Sequence, residues 1–253
     1  MSFFEDLKLV YSKASKDTLT KIKSSPLILI VPFLYGIIYS LAMIVFGNIL
    51  GMVSGVFMGF LMPVITSLIL SSYFSILSDL IYYNRISFRN FKDTFKSYFA
   101  SIYSVYFILI IISWIIPVFG GNLILAVIIN LIINPIAESI YIRGEYYTSA
   151  YTHSFEFMKE NFCLWVIPYV VYLLILHLIG FDFVSTIASS SVIDIPLGEN
   201  LVNGIYYKNL LNLYNIRILL ATIVTAIYAV VRGKLYKILQ GSTRRKRAYM
   251  GEI

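Results

Sequence analysis

Six long apolar stretches follow one another along this chain, and they leave it few ways to fold. They run roughly over Pro26–Phe46, Leu50–Leu77, Ile102–Val118, Asn122–Tyr141, Leu164–Phe181 and Ile216–Val231. Four carry no charged side chain, and the other two carry one each, Glu138 and Arg217. A helix of about 20 apolar residues crosses about 30 Å of hydrocarbon. A helix also satisfies its own backbone hydrogen bonds there, which an open sheet or a loop cannot do. Composition points the same way. Charged residues make up 13% of the 253, and mean hydropathy is +0.82, whereas soluble domains carry about 25% charged residues. A soluble chain so poor in charge would lack the polar surface to cover itself.

The expected fold is therefore all-α: a polytopic transmembrane helix bundle of six spans. Gly47-Asn48 and Gly120-Gly121 leave room only for tight turns, which makes hairpins of the first and second spans and of the third and fourth. The last two spans are joined by the longer segment Asp182–Asn215. Six spans with the N-terminus in the cytoplasm put every lysine and arginine inside except Lys208 and Arg217, as the positive-inside rule requires. An odd number of spans would expose either the basic arm or the basic tail. The chain reads as a single integral domain of the cell (cytoplasmic) membrane. Residues 1–25 form an amphipathic arm, 26–231 the bundle and 232–253 a basic tail, with both termini cytoplasmic. No cleavable signal is expected, because the first apolar stretch follows a long polar arm and no small-x-small site succeeds it. Cys163 is the single cysteine, so no intramolecular disulfide can form.

The inner loops carry a helical period. Phe88, Phe91, Phe95, Tyr98, Phe99 and Ile102 recur at three- and four-residue spacing, with Arg89, Lys92, Asp93 and Lys96 on the other face. Tyr151, Phe155, Met158 and Phe162 repeat the pattern, and Phe3, Leu7, Val10 and Ala14 begin a third stripe. An aromatic face opposite a charged face is the signature of a helix lying in the membrane interface. Each segment leads into an odd-numbered span. The unit is then an interfacial helix followed by a transmembrane hairpin, three times over in parallel orientation. Lys23 and Lys159 each precede a proline-aromatic pair, Pro32-Phe33 and Pro168-Tyr169, by nine residues, but the middle unit lacks that proline.

The segments Phe88–Ile102 and Tyr151–Phe162, each leading into a hairpin, resemble uncharacterised multi-pass membrane proteins of bacteria. Some of those are similar to the membrane domain attached to glycerophosphodiester phosphodiesterases. The resemblance is one of architecture. It implies no catalytic residues here, and the soluble phosphodiesterase domain has no counterpart in this sequence.

Three patterns mark candidate positions. In the second span, Gly51, Gly55, Gly59, Pro63, Ser67, Ser71, Ser75 and Asp79 fall every fourth residue. Small side chains let helix backbones approach closely, so this ridge reads as a packing surface, within the molecule or between copies. In the fourth span, Asn130, Asn134 and Glu138 share one face beside Pro135. Polar groups at that depth need partners, and the stripe is either a track for an ion, a proton or a polar solute, or interhelical glue. His177, in the fifth span, is expected to hydrogen-bond a neighbouring helix. Asp79 and Glu138 both approach the inner leaflet and are the foremost functional candidates.

Catalytic vocabulary is missing. There is no H-E-x-x-H, G-x-S-x-G or Walker motif, and two histidines with one cysteine make no recognisable metal site. No enzymatic activity, cofactor or metal is expected. Arg244, Arg245, Lys246 and Arg247 are expected at the lipid surface, attracted by anionic headgroups; the positive-inside rule accounts for their charge without nucleic acid. Two function classes remain. The first is a permease-like transport component, acting alone, as a homo-oligomer or with a separate ATPase. The second is a non-transporting scaffold or assembly factor that binds anionic lipid or a protein partner at the inner leaflet.

Overall fold

The computed structural model describes residues 2–50, 55–86, 91–115, 128, 131–182, 212–242, 246–247 and 249. Every regular element among the described residues is a helix. In chain order they are α1 (Phe3–Ser24), a 3-10 turn (Pro26–Leu29), α2 (Val31–Leu50), α3 (Gly55–Tyr83), α4 (Phe91–Ser97), α5 (Phe99–Ile115), α6 (Ile136–Tyr141), α7 (Tyr147–Ile179) and α8 (Leu213–Gly241). Four stretches are long and apolar enough to cross a membrane: Gly59–Tyr83, Phe91–Ile111, Tyr147–Ile179 and Leu213–Gly241. A shorter apolar stretch, Val31–Phe46, lies in α2. Leu34, Leu41, Ile44, Leu174, Leu178, Leu219 and Leu220 are all exposed. In water such a surface would aggregate, whereas lipid accepts it.

The arm helix α1 starts on a reciprocal cap. The Ser2 hydroxyl accepts from the Glu5 amide at 3.2 Å, and the Glu5 carboxylate accepts from the Ser2 amide at 2.7 Å. These two bonds satisfy donors that a helix start leaves orphaned. The helix ends at Ser24, two residues before Pro26. Its buried face differs from the expected one. Asp6, Val10, Ala14, Thr18 and Lys21 face inward, while Phe3 is exposed. The stripe is rotated because α1 packs along α8, and α8 offers it charged as well as apolar partners.

The remaining helices meet around one large core and one small one. The large core gathers α2, α3, α5, α6, the first half of α7 and the end of α8 around Tyr73, Phe74, Ile140 and Tyr236. The small one joins Tyr169, Tyr172 and Leu176 of α7 to Ile218, Ala221 and Tyr228 of α8. Helix α3 runs on through Pro63. Ser71 then fastens the α4–α5 junction to it: its hydroxyl donates to the Thr94 carbonyl at 2.8 Å and accepts from the Tyr98 amide at 2.8 Å. Next to it, Ser72 links Tyr35 and Thr94, each at 2.6 Å. Helix α7 breaks at Asn161, whose backbone leaves the helical region (φ −124°, ψ 15°). The break separates the Tyr151–Phe162 segment from the apolar stretch that follows. Phe155 and Phe162 are exposed, and Ala150, Ser154 and Phe157 take the buried face instead.

Along the small-residue ridge, Ser67 and Ser71 are fully buried and Ser75 is half-buried. Gly51 lies outside the described residues, and Gly55 opens α3. Gly59 is exposed, and among the described residues a Cβ added there would meet nothing within 4 Å. A close approach falls at Gly233 of α8. A Cβ there would collide with the end of Ile81 and lie 2.9 Å from the Tyr141 hydroxyl.

Candidate functional site

The chain breaks at Pro135, between a helical turn ending near Ile132 and α6. Proline supplies no amide hydrogen and disturbs the preceding turn. Arg232 of α8 bonds the backbone before this break and a side chain after it. Its Nη2 donates to the Asn134 carbonyl and to the Glu138 Oε2, each at 2.6 Å. The two side chains are each only 4% exposed. Removing two charges from water is expensive, and only a close, hydrogen-bonded partner offsets it. Aromatic rings complete the enclosure. The guanidinium lies 5.3 Å from the Trp165 ring centroid and 5.5 Å from that of Tyr228, and cation–π attraction adds to the pairing where water is excluded. Tyr172 stacks on Tyr228 at 4.2 Å. The Trp165 indole donates to the Asn134 Oδ1 at 2.7 Å.

A hydroxyl cluster sits beside the pair. Ser139 donates to the Pro135 carbonyl at 3.0 Å and bonds Tyr236 at 3.0 Å and Ser154 at 3.2 Å. Phe157 stacks on Tyr236 at 4.6 Å and meets Trp165 edge-on at 5.2 Å. The Asn134 Nδ2, the Arg232 Nε and the Tyr141 hydroxyl are buried without a protein partner among the described residues. The centre thus keeps hydrogen-bonding capacity beyond what the described residues use.

Phe157 has a second face. It lines a polar cavity of about 600 Å³, together with Arg143, His153, Glu156, Lys159 and Glu160. Arg143 bonds both Glu145 at 2.8 Å and His153 at 3.0 Å. The Ser149 hydroxyl, and after it Arg143, hold Glu145 below the usual carboxylate range. Asp6 and Arg247 close the far side of the cavity as a bidentate pair at 2.6 and 2.9 Å, almost fully buried. Cations and carboxylates are mixed in this wall, which suits a polar or zwitterionic solute better than a simple anion. Phe157 connects the cavity and the Glu138–Arg232 pair only through its neighbours: it lines the cavity and packs on Trp165, and Trp165 in turn lies against Arg232.

The expected candidates are thus scattered. Asn134 and Glu138 come together, with partners the sequence did not point to. Asn130 lies outside the described residues. Asp79 is half-buried, and Arg85 is near enough to act on it electrostatically; no hydrogen bond or ion pair links it to Glu138. His177 has its Nδ1 3.2 Å from the Phe181 carbonyl, just past the end of its own helix, and among the described residues it shows no hydrogen bond to a neighbouring helix. Of the basic tail, Arg244 and Arg245 lie outside the described residues. Lys246 is exposed and donates to the Gly241 carbonyl at 3.3 Å. Arg247 is not a lipid-surface residue, because Asp6 draws it inward. Arg232 and Trp165 are the functional candidates that sequence reasoning missed. A signal was present: Tyr228, Arg232 and Tyr236 lie four apart, which places a cation between two rings on one helix face.

Comparison with protein-family models, with curated proteins and with solved structures gives no match.

Proposed function

We propose that this chain is a six-span membrane protein of the cell membrane, with both termini cytoplasmic, and that it serves as a permease-like transport component. The observation carrying the transport reading is a polar cavity whose wall residue Phe157 packs on Trp165, which in turn covers a buried ion pair. An ionisable pair at such depth is costly, and membrane proteins keep such pairs chiefly on substrate or ion pathways. A solute entering the cavity would meet Arg143, Glu156 and Lys159 first. Movement of Phe157 and Trp165 together would then open a way to Glu138, Arg232 and the Asn134 amide, whose Nδ2 has no partner among the described residues. Six spans and the orientation draw support from the basic loops and from the Asp6–Arg247 contact, which ties the two termini to one face.

One observation favours the second class, a non-transporting scaffold: neither Glu138 nor Arg232 lines the polar cavity itself, so the pair serves equally as a fixed clamp. The deciding experiment uses the full chain in native nanodiscs. Thermal unfolding is followed against a panel of small polar solutes, and co-purifying proteins and small molecules are identified by mass spectrometry. The transport reading expects a solute class that raises the unfolding midpoint, as any ligand selective for the folded state must. That effect should vanish in Glu156→Gln/Lys159→Gln. A wild-type protein that responds to no solute and carries neither a solute nor an ATPase would overturn it in favour of the scaffold.

A further inference from the structure

A second polar cavity, of about 270 Å³, lies between α1 and the last turns of α8. Its charged wall is Lys13 and Asp17 from α1 with Lys234 and Lys237 from α8. Unlike the larger cavity it is strongly one-signed. Lys234 is buried and donates to the Ile81 carbonyl at 3.2 Å. Lys21 is buried as well and lies near enough to Lys234 to act on it electrostatically. Lys237 rests over the Tyr82 ring with its Nζ 4.3 Å from the centroid. An ammonium offers three donors and no acceptor, so two charged lysines cannot satisfy one another. Asp17 is the one carboxylate in the wall, and it cannot balance four lysines. Burial, and after it the nearby Lys237, pushes the Lys21 ammonium below the usual lysine range. The volume falls just below the roughly 300 Å³ at which small-molecule sites begin, and it suits one compact oxyanion.

We propose that this cavity binds a phosphate-class oxyanion through Lys13, Lys234 and Lys237, with Lys21 behind them. The group would arrive either on a lipid headgroup or as a free phosphate, since both offer several anionic oxygens to the same ammonium cluster. The site is independent of the transport reading, because it shares only Ser242 with the larger cavity and no residue with the Glu138–Arg232 pair.

The test uses the full chain in nanodiscs. One arm holds the lipid at phosphatidylcholine and titrates inorganic phosphate and pyrophosphate against thermal unfolding. The other exchanges part of the lipid for phosphatidic acid and counts retained lipid by native mass spectrometry. Lys13→Gln/Lys237→Gln removes the two rim charges and leaves the buried lysines in place. Lys8→Gln/Lys16→Gln removes the same charge from exposed positions of α1 outside the cavity. At about fivefold per charge near the surface, the rim variant should weaken binding roughly 30-fold. The control should stay near wild type, and Lys13→Arg/Lys237→Arg should retain binding. Stabilisation by soluble phosphate would identify a free anion, and selective retention of phosphatidic acid alone would identify a headgroup. Equal weakening in the rim and control variants, unimpaired binding by the rim variant, or binding in neither arm would overturn the proposal.

Discussion

Neither Glu138 nor Arg232 can remain charged in this core alone. Replacing one partner strands the other, and the cost of an uncompensated buried charge is about 3–5 kcal/mol. Glu138→Gln should therefore lower the thermal unfolding midpoint sharply. Glu138→Leu/Arg232→Met, which removes both charges, should recover most of the loss. A single variant as stable as wild type would show that the pair is not sealed as described. This bears on the transport test, because a lone neutralisation at Glu138 confuses loss of function with loss of fold and only the double replacement separates them. At Gly233 the argument is steric. A methyl group would press on Ile81 and Tyr141, and overpacking of this kind costs about 1–3 kcal/mol; an undiminished midpoint in Gly233→Ala would contradict the close approach. Sequence showed Glu138 as a polar residue in need of a partner, but not which one. Arg232 stands one step beyond an apolar run and counts naturally as a tail charge. Its burial depends on a carbonyl and a carboxylate more than ninety residues earlier in the chain, and no local pattern reports that.

At the scale of elements, helices surrounded by lipid gain little from hydrophobic contact with one another, so packing and interhelical hydrogen bonds decide how they associate. Ser71 shows this. Its hydroxyl receives the Tyr98 amide and donates to the Thr94 carbonyl at the α4–α5 junction. Ser71→Ala would leave that amide without its acceptor, at about 1–3 kcal/mol. Hydrogen exchange at Tyr98 should accelerate in the variant while amides in the middle of α8 keep their protection; unchanged exchange at Tyr98 would sink the assignment. The fourfold spacing of small residues pointed to α3 as a packing surface, and Ser67 and Ser71 are buried on it while Gly59 is exposed. Spacing names a face without saying which neighbour covers each part of it. The arm helix teaches a similar lesson. Its length and its cap at Ser2 follow from the residues, yet the face it buries was set by α8, so Asp6 and Lys21 displaced Phe3 from the interior.

At the scale of the molecule the open question is the number of crossings, and three contacts bear on it. The Tyr82 hydroxyl at the end of α3 donates to the Ile142 carbonyl just past α6, at 2.7 Å. Lys237, near the end of α8, lies over the Tyr82 ring. Asp6 holds Arg247. The ends of α3, α6 and α8 therefore lie at one level, and the two termini meet. If only the four long stretches crossed, α3 would leave the side of the N-terminus and α8 would return to it. Tyr82 would then face outward and Lys237 inward, with a membrane between two groups in contact. The six crossings proposed above, which count α2 and the sequence run Asn122–Tyr141, would remove the contradiction and return Arg85, Lys92 and Lys96 to the positive side. A cysteine at Lys92, in a Cys163→Ser background, separates the two schemes. Six spans predict that a membrane-impermeant maleimide labels it only after cells are opened, along with cysteines at Lys16 and Tyr249, whereas one at Asn200 reacts in intact cells. Labelling at Lys92 from outside would restore the four-span scheme, and different behaviour at Lys16 and Tyr249 would exclude any even number of crossings and with it the Asp6–Arg247 contact.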